Sequence, residues 1–436
     1  MSLKYFLAAC RSFIKNLISR YFTINEIIKG FFIALLISNF IFLTLFDNLI
    51  LEFISPFLAI YGFYKLFDAN RFEFFHTGFF IGILWFYWVS FSLVYYGFAF
   101  LIPLEILFFG LVYGLIFLVC GWWKNKFIRA ILLILISYFY PFNFNWLNLE
   151  LVLVPGLFEP NLRGLCAIFA GILAFYYLKK FKLLGLFVGV ILALQITQEK
   201  PNFLPLKTKL INTQISQYTK WNPKFSKQHI IEALNLIDEA IKDGYKFIVL
   251  PENAFVTHLN LEPNLEQILK EKSHFSTILT GALAYENGRQ YNSSFLFSKG
   301  SVQRFDKFIL VPFGEEIPLP NFIKKALNLL FFNGAKDFDK ASSFSDYKVD
   351  NQVIRNAICY EVTRSETYKN SPKFVVAISN NGWFTPSTEP NLQRLLIKYY
   401  ATKHGTTVYH SVNGSKSEII TPKELWVVKF INLFKK

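Results

Sequence analysis

Long apolar runs alternate with short charged clusters through the first 200 residues, and this pattern ends near residue 198. A membrane-spanning helix needs about 20 predominantly apolar residues. Seven such segments are found, at about 30–46, 49–67, 74–99, 102–122, 127–141, 164–178 and 181–197. The pattern predicts a polytopic α-helical membrane domain over residues 1–198 with about seven spans.

The rest of the chain has the mixed pattern of a soluble α/β domain. Apolar residues at helical spacing predict helices at 226–243, 264–273 and 389–404. Short Val-, Ile- and Phe-rich runs between turn residues predict strands at 208–216, 246–250, 277–283, 291–298, 301–305, 344–347, 352–358, 374–379 and 406–412. Helices that alternate with strands indicate an α/β sheet system over residues 205–420, with its chemistry at strand ends.

Two stretches do not fit this alternation. Residues 319–332 are apolar and irregular, and we expect them to form a mobile flap. Residues 421–436 form a short apolar segment with a basic end, which is too short to cross a bilayer.

Charge orients the predicted membrane domain. Lys and Arg are concentrated in alternate loops, so the positive-inside rule places the N-terminus in the cytoplasm. Seven crossings then put the α/β domain on the outer face of the membrane, which in a two-membrane bacterium is the periplasm. The net charge of +15 is spread over both halves without a dense basic patch, which favours contact with anionic lipid over nucleic-acid binding.

Three reactive residues stand at or near the ends of predicted strands. Glu252 follows the run 246–250, Lys307 follows 301–305, and Cys359 ends the run 352–358. A thiolate is a strong nucleophile at neutral pH when its pKa is lowered or a base is close. Taken singly, a cysteine is more often a small buried hydrophobe, and a glutamate or lysine is more often solvated. The three in this order are a more specific signal.

The other cysteines do not compete for this chemistry. They stand at 10, 120 and 166, in or beside predicted membrane segments, and Cys359 is the one thiol of the soluble part. We therefore expect no disulfide there, and no Cys/His spacing predicts a metal site.

The Glu-Lys-Cys order resembles the catalytic triad of the nitrilase (carbon–nitrogen hydrolase) superfamily. Further fragments are similar to its membrane-bound branch, the apolipoprotein N-acyltransferases, over about residues 25–415. These fragments are Gln214-Ile215-Ser216-Gln217 with Lys220-Trp221, Leu250-Pro251-Glu252, Tyr291-Asn292, Val311-Pro312-Phe313-Gly314-Glu315-Glu316-Ile317-Pro318, Cys359-Tyr360-Glu361 and Ser379-Asn380-Asn381-Gly382-Trp383-Phe384. The resemblance implies a polytopic membrane domain joined to a nitrilase-like αββα sandwich.

The chain departs from the family pattern in two places. The family usually carries Asp where Asn381 stands. The resemblance also implies more chain after residues 411–414 and a final membrane span, whereas 421–436 is short.

The resemblance implies a mechanism of ping-pong acyl transfer. Glu252 is the general base that deprotonates Cys359, and Lys307 lowers the thiol pKa and faces the oxyanion, with the backbone N–H of Tyr360 as a second donor. The acyl donor is a phospholipid, the intermediate is a cysteine thioester, and the acceptor is the N-terminal amine of a diacylated apolipoprotein. No cofactor is implied, and we expect a monomer.

Supporting roles are assigned on the same basis. Glu315 and Glu361 are candidates to orient Lys307 or the amine, and Asn292 to orient Glu252 or Lys307. Trp221, Trp383, Phe331 and Phe332 are candidates to line an acyl groove. Structural ion pairs, a turn cap and core packing explain these residues about as well.

Two other functions stay open from the sequence. One is a membrane-tethered amidase or nitrilase that hydrolyses a small amide. The other is a non-catalytic inner-membrane scaffold, since a fold alone does not establish an activity.

Overall fold

The structure, a computed structural model, describes residues 23–312, 314–316 and 338–433. The predicted flap, with the groove candidates Phe331 and Phe332, lies outside these residues. The described chain forms two compact units. The first comprises 23–139, 147–196 and 425–433, and the second comprises 140–146 and 197–424.

Apolar helices build the first unit. They are α1 (Ile24–Leu43), α2 (Leu49–Asp68), α3 (Arg71–Phe86), α4 (Ile102–Cys120), α5 (Lys126–Ile136), α6 (Leu162–Tyr177) and α7 (Lys182–Ala193). Helices α1 to α5, some with 3₁₀ extensions, are long and apolar enough to cross a membrane. The protein is therefore a multi-pass membrane protein. Helices α6 and α7 have only 16 and 12 residues, so the number of crossings stays a prediction.

Capping and small residues explain how these helices begin and pack. Asn70 caps α3 by accepting from the amide of Glu73, whose carboxylate accepts in return from the amide of Asn70. Further along α3, a Cβ added at Gly78 or Gly82 would lie 2.4 Å from Tyr113 O or 2.5 Å from Phe109 O. Glycine at both positions therefore lets α3 and α4 approach closely, as small residues do between membrane helices.

The second unit contains two sheets. Their strands are β1 (Thr208–Leu210), β2 (Phe247–Val249), β3 (Phe255–His258), β4 (Thr277–Glu286), β5 (Arg289–Ser298), β6 (Ser301–Asp306), β7 (Asp346–Val349), β8 (Gln352–Ile358), β9 (Phe374–Asn380), β10 (Thr407–Asn413) and β11 (Glu418–Ile420). The first sheet has the order β1-β2-β4-β5-β6, with β3 beside β4, and the second has the order β11-β10-β9-β8-β7. Strands β8, β9 and β10 run parallel, so their carboxyl ends meet at one edge.

Helices cover the outer faces of these sheets. They are α9 (Pro223–Lys242), α10 (Pro263–Lys272) and α11 (Glu389–His404). The short helix α8 (Gln217–Lys220) precedes α9, and α12 (Trp426–Leu433) belongs to the first unit. The alternation of side chains along β2 shows how the layers form. Phe247 and Val249 join the core between the two sheets, whereas Ile248 joins the core beneath α9. The predicted αββα sandwich is therefore confirmed.

The strand prediction at 208–216 is wrong beyond residue 210. The chain leaves the sheet there and is held by the side chain of Asn413, which is fully buried at the end of β10. Asn413 Oδ1 accepts from Thr213 Oγ1 at 2.8 Å and from the amide of Ile215 at 2.9 Å. Its Nδ2 donates to Ile215 O at 3.0 Å and to Asn380 Oδ1 at 2.8 Å. The Asn413 side chain thus connects the end of β10, in the second sheet, to the segment that follows β1 of the first sheet.

We expect Asn413→Ala to lower the free energy of unfolding by about 2–4 kcal/mol, because it leaves buried groups of Ile215 unpaired. Thermal denaturation of the detergent-solubilised protein measures the effect. The matched control is Gln228→Ala, which removes an exposed amide from α9. Equal melting temperatures for the two variants would contradict the assignment.

Candidate active site

Glu252 lies just beyond β2, where the chain turns sharply against β4. Asn253 has a φ of +49°, which an asparagine tolerates better than most residues. A Cβ at Gly281 would lie 2.6 Å from Asn253 N and 2.7 Å from Glu252 Cα. The absence of a side chain at Gly281 therefore lets the turn approach β4 and sets the position of the Glu252 carboxylate, which is 5% exposed.

Lys307 follows β6 and is completely buried. Its Nζ lies 2.7 Å from Glu315 Oε2 and 3.8 Å from Glu252 Oε1. Burial alone lowers the pKa of Lys307, but the charges of Glu315 and Glu252 outweigh burial and hold the pKa above its usual 10.5. Lys307 is therefore a fixed cation.

Asn292, on β5, forms hydrogen bonds that hold Glu252, Glu315 and Lys307 in place. Its Nδ2 donates to Glu252 Oε1 and to Glu315 Oε1, each at 2.8 Å. Its backbone oxygen accepts from the amide of Lys307 at 2.9 Å. The structure thus brings Asn292 and Glu315 together with Glu252 and Lys307.

Cys359 is half-buried directly after β8, and its φ of +54° is unusual for a residue with a side chain. Such conformations are strained and cluster at functional sites. Burial raises the pKa of the Cys359 thiol, Glu252 raises it further, and Lys307 lowers it. Lys307 therefore lowers the thiol pKa, which is the predicted direction, but burial and Glu252 together have the larger effect. The resting site holds a thiol beside a base rather than a preformed thiolate.

Glu361 fixes the 3₁₀ turn of residues Cys359–Thr363. Its Oε1 accepts from the amides of Phe308 and Ile309 at 2.7 and 3.0 Å, and its Oε2 accepts from the amide of Ile358 at 2.7 Å. Burial raises the pKa of Glu361 to about 7, against the opposing effect of these amides and of Lys307. The carboxylate thus ties the turn to the segment after Lys307.

The Tyr360 side chain contacts residues 140–146, which connect α5 to α6. Its hydroxyl lies 2.9 Å from Asn145 Oδ1 and 3.0 Å from Asn143 O. Arg364 Nη1 donates to the same hydroxyl at 3.2 Å. The sequence predicts a role only for the backbone of Tyr360. The polar, aromatic composition of 140–146 was the available signal for this contact.

Lys220, which belongs to one of the fragments that resemble the family, is a second buried cation. Its Nζ donates to the backbone oxygen of Glu252 at 3.3 Å. Burial lowers the pKa of Lys220 to about 8, although the charge of Glu252 opposes this shift. Glu252 is therefore close to two ammonium groups.

Trp221 and Trp383 lie together and are both half-buried, with ring centroids 6.2 Å apart. Trp221 Nε1 donates to Gln217 Oε1 at 2.9 Å, and Gln217 Nε2 donates to Asn380 Oδ1 at 2.8 Å. The pair thus lies near the carboxyl end of β9. Its role in an acyl groove stays a prediction.

The arrangement combines a nucleophile, a proton acceptor and a fixed cation, which are the parts that covalent acyl transfer needs. Cys359 interacts electrostatically with Glu252, Lys307 and Glu315. Glu252 can take the thiol proton, and Lys307 can stabilise the oxyanion that follows nucleophilic attack.

Comparisons with known proteins show which family the chain is similar to. Residues 24–196 match the family model described as the apolipoprotein N-acyltransferase integral membrane domain. The chain is 40% identical to apolipoprotein N-acyltransferase of Campylobacter jejuni over 97% of this chain and 96% of the relative. It is 41% identical to the protein of the same name from Wolinella succinogenes over 89% of this chain and 94% of the relative. Among solved structures, a CN-hydrolase superfamily protein of Xanthomonas campestris matches 48% of this chain and 76% of that protein, at 12% identity and a TM-score of 0.35.

We expect Gly281→Ala to speed iodoacetamide alkylation of Cys359 about threefold at pH 7.5, because the new methyl group displaces the Glu252 carboxylate, whose negative charge raises the thiol pKa. Mass spectrometry of the Cys359 peptide gives the rate. The melting temperature shows whether the variant is folded. An unchanged rate in a folded variant would contradict the role assigned to Gly281.

We expect the alkylation rate of wild-type Cys359 to be low at pH 7 and to rise with pH beyond pH 9. A raised thiol pKa leaves little thiolate at neutral pH, and the thiolate is the reactive form. Lys307→Met, which removes the group that lowers this pKa, should slow the reaction further at every pH below 9. Cys359→Ala identifies labelling at other cysteines. A fast rate that does not change between pH 6 and pH 9 would instead indicate a preformed thiolate.

Proposed function

This chain belongs to the apolipoprotein N-acyltransferase family, and on that premise we propose that it transfers an acyl chain from a phospholipid to the N-terminal amine of S-diacylglyceryl cysteine in apolipoproteins. The observation that carries the mechanism is the buried cluster in which the Lys307 ammonium lies 2.7 Å from Glu315 and 3.8 Å from Glu252. Cys359 lies within the electrostatic reach of all three groups.

In the first half-reaction, Glu252 takes the thiol proton of Cys359, and the sulfur attacks the sn-1 ester carbonyl of the phospholipid. Lys307 and the backbone N–H of Tyr360 face the oxyanion of the tetrahedral intermediate. The C–O bond breaks, and Glu252 returns the proton to the lysophospholipid alkoxide. The raised pKa of the resting thiol supports this order, because it makes a general base necessary.

In the second half-reaction, the acceptor amine attacks the thioester. A C–N bond forms, the C–S bond breaks, and Glu252 moves a proton from the nitrogen to the departing sulfur. A thioester suits this step because it forms from an ester without a large energy difference and reacts readily with amines.

The neighbouring residues have supporting roles in this proposal. Glu315 and Asn292 hold Lys307 and Glu252 in place, and Glu361 holds the turn that carries Cys359. Trp221 and Trp383 contact the acyl chain. The hydrogen bonds from Asn292 to Glu315 and from the amide of Ile358 to Glu361 support the positioning roles. The half-buried, adjacent rings of Trp221 and Trp383 support the contact with the acyl chain.

We further propose that the enzyme is a monomer in the bacterial inner membrane with its α/β unit in the periplasm. The alternation of basic loops in the sequence supports this orientation. A membrane enzyme also spares the acyl chain a transfer into water, which costs about 0.8 kcal/mol per CH₂ group.

We expect the protein, incubated with phosphatidylethanolamine, to gain one acyl-sized mass on Cys359, and Cys359→Ala to gain none. Intact-protein and peptide mass spectrometry measure both. The adduct should persist in water and disappear when a diacylglyceryl-cysteine peptide is added.

Other outcomes identify the alternatives. Rapid hydrolysis of the adduct without the peptide indicates a membrane-tethered hydrolase. No adduct, together with normal lipoprotein N-acylation in cells that carry Cys359→Ala, indicates a scaffold.

A further inference from the structure

Glu389, the first residue of α11, is a buried carboxyl group that the mechanism above does not use. It is 2% exposed, and its Oε2 accepts no hydrogen bond within the part of the chain that the structure describes. The residue is held through its backbone, because its amide donates to Ser387 Oγ at 3.1 Å. A buried polar group without a partner is costly and uncommon, so Glu389 requires an explanation.

Glu389 begins a helix that lies against the turn of the nucleophile. Helix α11 packs against the Cys359–Thr363 turn. One helical turn further along, Gln393 accepts from Asn381 Nδ2 at 2.9 Å, which fixes this face of α11 to the end of β9. The charge of Glu389 reaches the thiol of Cys359.

The proton balance of the second half-reaction requires a group of this kind. The acceptor amine has a pKa near 7.7–8.0 and arrives largely as an ammonium at neutral pH. Amide formation removes two protons from that nitrogen. Glu252 returns one of them to the sulfur of Cys359, so the other must leave by a different route.

We propose that Glu389 is the residue that receives the acceptor: its carboxylate pairs with the incoming ammonium and takes the proton that Glu252 does not. The nitrogen is then a free amine, and its lone pair forms the C–N bond to the thioester carbonyl. Glu389 ends the cycle protonated and passes this proton to water when the next ammonium pairs with it. This inference rests on the proposed function.

The electrostatic setting agrees with this cycle. Burial raises the pKa of Glu389 well above its usual value, so the empty site holds a neutral carboxyl rather than an unpaired buried charge. An approaching cation favours the carboxylate, as does the N-terminus of α11. The titratable groups on the elements packed against α11 are Cys359, Tyr360, Glu361, Glu366, Tyr368, Tyr409, His410 and Glu418. Burial causes the rise in the pKa of Glu389, and the charge of Glu389 in turn raises the pKa of Cys359.

The test separates the two half-reactions. Full-length Glu389→Gln, which keeps the shape of the side chain, is acylated with phosphatidylethanolamine in detergent micelles. A synthetic diacylglyceryl-cysteine peptide is then added, and the loss of thioester is followed in a single turnover between pH 6 and pH 9.5. We expect acylation within about threefold of wild type and aminolysis about 100-fold slower at pH 7. The difference in aminolysis rate between Glu389→Gln and wild type should shrink to about tenfold or less above pH 9, where the amine arrives already deprotonated and needs no acceptor besides Glu252.

Two variants control the test. Glu418→Gln removes a half-buried carboxylate that pairs with Arg394 on α11 at 2.8 Å, and it should behave as wild type. Glu389→Asp keeps a carboxylate and should restore at least a tenth of the wild-type aminolysis rate. The amount of thioester formed per enzyme reports the folded fraction of each variant.

Two results would overturn the inference. One is a Glu389→Gln aminolysis rate equal to that of wild type at pH 7. The other is a defect that is equal in both half-reactions and does not change with pH, which indicates a structural role. Failure of wild-type Cys359 to form a thioester would instead overturn the proposed function itself.

Discussion

A lysine ammonium without access to water is the constraint on which the candidate active site depends. A buried, unpaired cation costs several kcal/mol, so Lys307 requires its carboxylates in fixed positions. Glu315 supplies the close ion pair, Glu252 supplies the second negative charge, and Asn292 donates to both. These partners come from β5 and from the segments after β2 and β6. These three strands belong to the first sheet, so that sheet has to assemble before the charges can balance.

The nucleophile is placed by a different kind of interaction. Cys359 occupies a left-handed backbone conformation, which needs support from its surroundings. Glu361 supplies that support on one side by accepting from three backbone amides. Tyr360 supplies it on the other side through Asn143 and Asn145, from the connection between α5 and α6. A disturbance of that connection can therefore reach the nucleophile through hydrogen bonds within the α/β unit.

Much of this was predictable from the sequence, and the exceptions have physical reasons. Buried strands such as β2 and β9 are continuous apolar runs, and the residues that follow them stand at strand ends, so Glu252 and the 379–384 segment were found. Short edge strands give no such signal, and β3 and β11 were not predicted. The strand at 208–216 was predicted too long because its hydrogen bonds go to Asn413, which is 200 residues away from Thr213. The contacts of Tyr360 and the isolation of Glu389 also depend on tertiary packing, which local patterns do not contain.

Two glutamates near one sulfur have opposite environments, and this difference allows one site to perform two chemically distinct steps. Glu252 lies 3.8 Å from the Lys307 ammonium and accepts a hydrogen bond from Asn292, so a cation and a donor are in place beside it before any substrate arrives. Among the described residues Glu389 has no such partner at Oε2, so its neutral form is favoured until a cation comes close. The first environment suits the deprotonation of a thiol in front of an uncharged ester, and the second suits the capture of a charged amine. Carboxyl groups in different environments can divide acid–base roles between them. The order of the two half-reactions then follows from which substrate carries the positive charge.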